Sequence, residues 1–134
     1  MAKPARLGRA VLLVDGYDAA IAFWRDALGW EPLVDMPGPH GLRFVHVGNP
    51  KQGDVGVWLL EPATEAQRAR VGDQTGGGPV LVAYTDDLDA AHGRLVSRGV
   101  RITAEPAGDA TSRWLHFMDP HGNDIVLVEL LGTT

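Results

Sequence analysis

The chain has 134 residues, no cysteine and a formal net charge of −5 at pH 7. Disulfide and thiolate chemistry are thereby excluded, and with acids and bases interspersed and no basic stripe, nucleic-acid binding is disfavoured. The length fits one compact domain that can bury a core without staples. No apolar run is long enough to span a bilayer and none follows the basic first residues as a secretory signal requires, so the expected location is the cytoplasm, away from membranes.

Residues 9–14 (RAVLLV) read as a strand. Residues 19–28 read as a helix, with Ala20, Phe23, Trp24 and Ala27 on one face, Asp18 as its candidate cap, and Gly29 where a left-handed terminus needs a residue without a Cβ. A short strand follows at 30–34. Residues 36–41 (MPGPHG) read as a loop, since Pro37 and Pro39 remove backbone donors. Strands at 42–47 and 55–60 are joined by a turn through Asn49, Pro50 and Gly53. Residues 64–70 can form one or two helical turns, and Gly76-Gly77-Gly78 reads as a flexible hinge. Then come a strand at 79–85, a helix at 88–97 capped by Asp86 or Asp87 and ended by Gly99, and a strand at 100–103. A hairpin pairs 112–118 with 124–131 around the turn 119–123.

The chain repeats itself. RFVHVGNPKQGD at 43–54 returns as RWLHFMDPHGND at 113–124. Arg43 falls on Arg113, His46 on His116, Pro50 on Pro120 and Asp54 on Asp124, while Gly29 falls on Gly99. A fixed-period echo means a duplicated structural unit. Each half reads strand, helix, strand, strand, strand. The expected organisation is a first module at 1–61, a linker at 62–78 and a second module at 79–134, together forming one compact domain.

Strand alternation assigns faces. Ile125 and Leu127 should pack against a helix, so Val126 and Val128 point the other way. With a five-residue turn, His116 lies opposite Val126 and Trp114 opposite Val128. The repeat then places Phe44 and His46 on the same side in the first half, with Trp58 and Leu60, while Val45, Val47, Leu115 and Phe117 face the core. The candidate ligand-binding set is Arg9, Phe44, His46, Trp58, Leu60, Trp114, His116 and Val126. Aromatic and aliphatic walls carrying two imidazoles suit a planar or amphipathic organic ligand. The plainer account of paired Trp and His on facing strands is core filler with a satisfied imidazole.

His116 and His46 are candidate general bases because imidazole titrates near neutrality, although no partner acid or nucleophile is visible in the pattern. His40 and His121 fall in turns and are expected in solvent. His92 falls on the second helix, as surface or packing. Arg43 and Arg113 belong on the outer face or rim, their stems over apolar surface. The turn 119–123 reads as structural. No Lys-Ser or Lys-Thr follows the glycine run, so it is not a phosphate loop.

Phe117-Met118-Asp119-Pro120-His121-Gly122-Asn123 followed by Ile125-Val126-Leu127, together with the opening strand and a helix ending Phe23-Trp24 and Leu28-Gly29, resembles the vicinal oxygen chelate superfamily. That superfamily includes glyoxalase I, fosfomycin and bleomycin resistance proteins, and extradiol dioxygenases. The resemblance covers roughly residues 9–131. It implies an α+β fold in which two βαβββ modules form a curved, cup-shaped, mixed eight-stranded sheet with helices on the outside, and it implies a homodimer. Metal-dependent members hold a divalent ion with His and Glu on inward strand faces. Here those positions fall on Arg9 or Ala10, on Gly56 or an immediate neighbour, on Val80 and on Val126, none of which ligates through its side chain. Glu61 and Glu129 are close but near strand ends and out of phase. The expectation is therefore no metal and no cofactor, with an aromatic or amphipathic small molecule sequestered in the cup, as in the bleomycin-resistance type, and with catalysis left open. The alternatives are a metal-dependent or His-assisted enzyme (a glyoxalase-type lyase or a dioxygenase) and a structural or regulatory module. Fold alone does not choose between them.

Overall fold

The alternation of apolar and polar positions organises the computed structural model, which describes residues 2–132. In the first half, β1 (Arg9–Leu13), α1 (Tyr17–Leu28), β2 (Glu31–Pro37), β3 (Arg43–Gly48) and β4 (Gly56–Leu60) follow in order. A one-turn helix, α2 (Glu65–Arg68), lies in the connection. The second half supplies β5 (Leu81–Tyr84), α3 (Leu88–Ser97), β6 (Arg101–Gly108), β7 (Ser112–Met118) and β8 (Asp124–Leu130). The architecture is the expected α+β pair of βαβββ units. Its eight strands form two four-stranded ladders, ordered β1-β4-β3-β2 and β5-β8-β7-β6. β1 runs parallel to β4 and β5 parallel to β8, while the remaining neighbours are antiparallel.

β1 and β5 are edge strands, and side chains rather than a strand occupy the free edge of β1. Gln74 accepts from the Leu13 N–H (2.6 Å) and donates to the Val11 carbonyl (3.2 Å). Asn123 Nδ2 donates to the Leu13 carbonyl at 3.2 Å, and the Asp15 N–H donates to His121 Nδ1 at 2.9 Å. Unpaired edge groups are an association hazard. Here the linker and the second module's turn cover them, and the same bonds join the modules. His121, expected in solvent, belongs to this joint.

Helix ends follow the sequence with one correction. α1 begins after Gly16 (φ 137°), which makes no side-chain cap. Asp18 instead lies in the first turn, where a carboxylate favours the helix N-terminus. Asp87 caps α3 by accepting from the Ala90 N–H at 3.1 Å, and Thr64 caps α2. Gly29 and Gly99 both adopt φ 70°, the left-handed terminus that the repeat demands twice. The glycine run is no open hinge: the Gly78 N–H donates to Thr75 Oγ1 at 2.8 Å, closing a turn. β2 and β6 run past the predicted 30–34 and 100–103 because both are edge strands, where Pro37 and Pro106 can be tolerated.

One core serves both modules. Val45, Val47, Leu59, Leu115, Phe117, Ile125 and Leu127 are buried against α1 and α3 with Trp24, Leu88 and Leu95. Trp24 stacks on Trp30 (5.0 Å between centroids) and meets Phe117 edge-on at 6.5 Å. Arg94 of α3 donates to the Asp26 and Arg25 carbonyls (2.8 and 2.9 Å) at the end of α1, the second of which also takes the Gly29 N–H. Among the described residues no helix is long and apolar enough to cross a membrane.

Candidate functional site

Each sheet turns one face to this core and leaves the other open. The ladders give the open face of the second module as anticipated: His116 lies opposite Val126 and Trp114 opposite Val128. In the first module His46 lies opposite Trp58. Val11, Val82, Tyr84 and Leu130 remain exposed, an apolar surface unlike an ordinary solvated strand face.

In the first module the candidate residues form a contiguous cluster. Arg9 Nε donates to His46 Nδ1 at 2.9 Å, and the His46 ring lies 5.8 Å from that of Trp58. Phe44, Trp58 and Leu60, with Tyr17, Leu42 and Gln67, line a cavity of about 560 Å³. Trp114, His116 and Val126 do not line it. They lie together on the second module's open face. A further cavity of about 390 Å³ lies at the joint, between Gly56 of β4 and Val82 and Tyr84 of β5.

The two repeat-related histidines have opposite partners. An arginine can only donate, so Nδ1 of His46 is the acceptor and the proton of the neutral ring sits on Nε2. At His116, Nδ1 lies 2.9 Å from Asp124 Oδ2, and Thr103 Oγ1 donates to Asp124 Oδ1 at 3.1 Å. Asp124 is the partner acid that strand alternation did not disclose. It sits diagonally across the hairpin, two residues before the residue facing His116. The duplicate, Asp54, takes no such role, because it pairs with Arg6 at 3.0 Å.

Several other charged residues tie elements of the fold together. Arg43 pairs with Asp35 (2.9 Å) and Asp18 (3.0 Å), and Arg113 pairs with Asp89 at 3.0 Å. In each module this arginine ties a strand to the first turn of its helix, on the outer face. Glu129 Oε1 accepts from the Leu88 N–H at 2.7 Å, so that carboxylate serves the start of α3.

Burial first, and the charge of Arg9 second, hold the His46 imidazole below its ordinary value. Just below the ordinary histidine value, the unfolded chain then binds more protons at this group than the folded one. Its contribution to stability is complete above that value and is lost as pH falls through the depressed one. Urea unfolding from about pH 7.5 to about pH 5 should show stability falling with acid. His46→Gln should make the fall shallower; an unchanged slope would contradict the assignment.

Two paired βαβββ units with apolar open faces define a protein of the glyoxalase type. The chain belongs to the Glyoxalase/Bleomycin resistance protein/Dioxygenase superfamily, whose sequence profile matches residues 6–127. It is similar to TnmS3, an antibiotic binding protein from Streptomyces sp. CB03234, at 28% identity and TM-score 0.78, covering 98% of this chain and 100% of that one. A superfamily member from Sphaerobacter thermophilus is 31% identical at TM-score 0.78, over 94% and 98% of the two chains. An uncharacterized protein of Shewanella frigidimarina is 28% identical over 120 residues, 89% of each chain.

The metal-dependent branch of such folds sets a test for the strand positions. Arg9 stands directly opposite Gly56, and Val82 opposite Val126. Val82, rather than Val80, is thus the β5 residue level with Val126. A guanidinium, a glycine and two valines offer no donor to a divalent cation. Among the described residues no three His, Cys, Asp or Glu side chains gather closely enough to share an ion. These residues do not fit a metal centre.

Proposed function

We propose that this protein binds an aromatic small molecule on the open faces of its two modules, without a metal or cofactor, and sequesters it rather than transforming it. The observation that carries this reading is the Arg9–His46–Trp58 cluster beside a cavity walled by Phe44, Trp58 and Leu60. Rings and aliphatic groups supply burial there, and a few polar atoms orient the ligand. TnmS3, named as an antibiotic binding protein, supports the same class of use. The binding set would be completed by Trp114, His116 and Val126, which join the first-module residues when the two faces enclose one cup. A homodimer in the cytoplasm is part of the proposal, with a second copy covering the exposed apolar residues of the sheets.

Replacing Trp58 or Trp114 with Ala tests it, with Trp24 and Trp30 left as reporters. Aromatic ligands should quench wild-type tryptophan fluorescence. Trp58→Ala should weaken binding about tenfold or more, equivalent to about 1.4 kcal/mol. Unchanged affinity in both variants would remove the site from these faces. Steady consumption of the bound compound would favour a His-assisted enzyme instead.

A further inference from the structure

The histidine pair carries information about ligand chemistry that its position alone does not. A carboxylate has no proton to give, so the 2.9 Å contact between His116 and Asp124 places the His116 proton on Nδ1. Thr103 Oγ1 donates to the other carboxylate oxygen at 3.1 Å and fixes the group from its far side. His116 Nε2 is then a bare acceptor; it has no hydrogen-bond partner among the described residues and is not enclosed. It shares its face with Val126 and Trp114's partner Val128. At the duplicated position, Arg9 enforces the opposite tautomer, and His46 carries its proton on Nε2. The two repeat-related histidines thus present a bare acceptor in the second module and a protonated Nε2 in the first.

We propose that the Thr103–Asp124–His116 relay is a receptor for an acidic hydroxyl group, so that the ligand is a phenol or enol whose O–H donates to His116 Nε2. Asp124 is a positioning residue: it touches no ligand, but it sets which His116 nitrogen carries the proton. The proposal rests on the reading of the open faces as a binding site, and it adds the ligand's chemistry. A ligand bearing only ether or carbonyl oxygens leaves His116 Nε2 facing another acceptor. A hydroxyl on the same ring system satisfies it. A positioned acceptor discriminates in this way because the wrong ligand leaves a polar group unpaired.

The test begins without ligand. Long-range 1H–15N NMR at about pH 8, above the ordinary histidine range, should show His116 protonated on Nδ1 and His46 on Nε2. The opposite tautomer at His116 would overturn the proposal. Calorimetry with 2-naphthol and 2-methoxynaphthalene then compares one ring system with and without a donor. Wild type should prefer the naphthol by about tenfold, one hydrogen bond's worth. In Asp124→Asn, an amide N–H facing His116 Nδ1 should move the proton to Nε2, and the preference should collapse towards unity. The His46 signal should not move, which reports an intact fold. Equal wild-type binding of both probes, or a preference that survives Asp124→Asn, would overturn the hydroxyl receptor and leave the binding face standing. Binding of neither probe would overturn both. If Asp124→Asn does not fold, the wild-type tautomer and the naphthol preference still decide.

Discussion

Asn123→Ala should cost about 2–4 kcal/mol of folding stability, because it leaves two buried acceptors without a donor, each worth about 1–3 kcal/mol. Asn123 is 1% exposed and Asp119 5%. Asn123 Nδ2 donates to Asp119 Oδ2 at 2.9 Å and to the Leu13 carbonyl at 3.2 Å. Both partners are acceptors, which fixes the orientation of the amide. Asp119 Oδ1 takes the His121 and Asn123 N–H groups at 2.9 and 2.8 Å, so the turn folds around one carboxylate. The amide does more than shape the turn, since its second bond closes the free edge of β1 and joins the modules. Urea unfolding should show a lower midpoint at an unchanged m-value. A loss below about 0.5 kcal/mol, the range of ordinary surface substitutions, would mean that turn and strand are held by other contacts.

This joint marks where sequence reasoning stopped. The turn 119–123 was legible as structural because Gly and Asn tolerate positive φ, and Gly122 adopts φ 93°. What lies against a turn depends on the other module, which no local pattern encodes, so His121 read as a solvated turn residue. The hairpin pairing was legible residue by residue, since a five-residue turn fixes the register of β7 on β8 and alternation fixes the faces. His116 and Asp124 still escaped, because alternation names directly opposed partners and this pair is diagonal. A signal was present, in that Asp54 and Asp124 recur with the histidines in the repeat. The arginine clamps were also within reach. Asp18 and Asp89 open the two helices, and Arg43 and Arg113 occupy one repeat position. Those oppositely charged pairs meet only once each helix is laid on its own sheet.

The division between a core face and an open face is what the binding proposal depends on, and β7 offers a direct measurement of it. Phe117→Ala should cost about 3–5 kcal/mol, the range for deleting a buried aromatic side chain. Phe117 is 0% exposed and lies 6.0 Å from the Phe23 ring and 6.5 Å from that of Trp24. It therefore bridges β7 to α1 at the centre of the shared core, and truncation leaves a cavity that rigid neighbours on two elements cannot fill. Trp114, three residues earlier, is larger but only half-buried, opposite Val128 on the open face. By area its removal forfeits more apolar surface than that of Phe117 only if the ring is covered in the free protein. With the ring partly buried rather than enclosed, Trp114→Ala should cost less than Phe117→Ala, about 1–2 kcal/mol. Equilibrium unfolding of the two variants makes the comparison independent of any ligand. A loss at Trp114 matching that at Phe117 would mean that the second module fills its own open face, and a cup already filled by its own side chains has no room for a guest. The expected asymmetry instead means that an aromatic surface is held out of the core at little cost to folding, leaving its burial to be completed when a ligand binds.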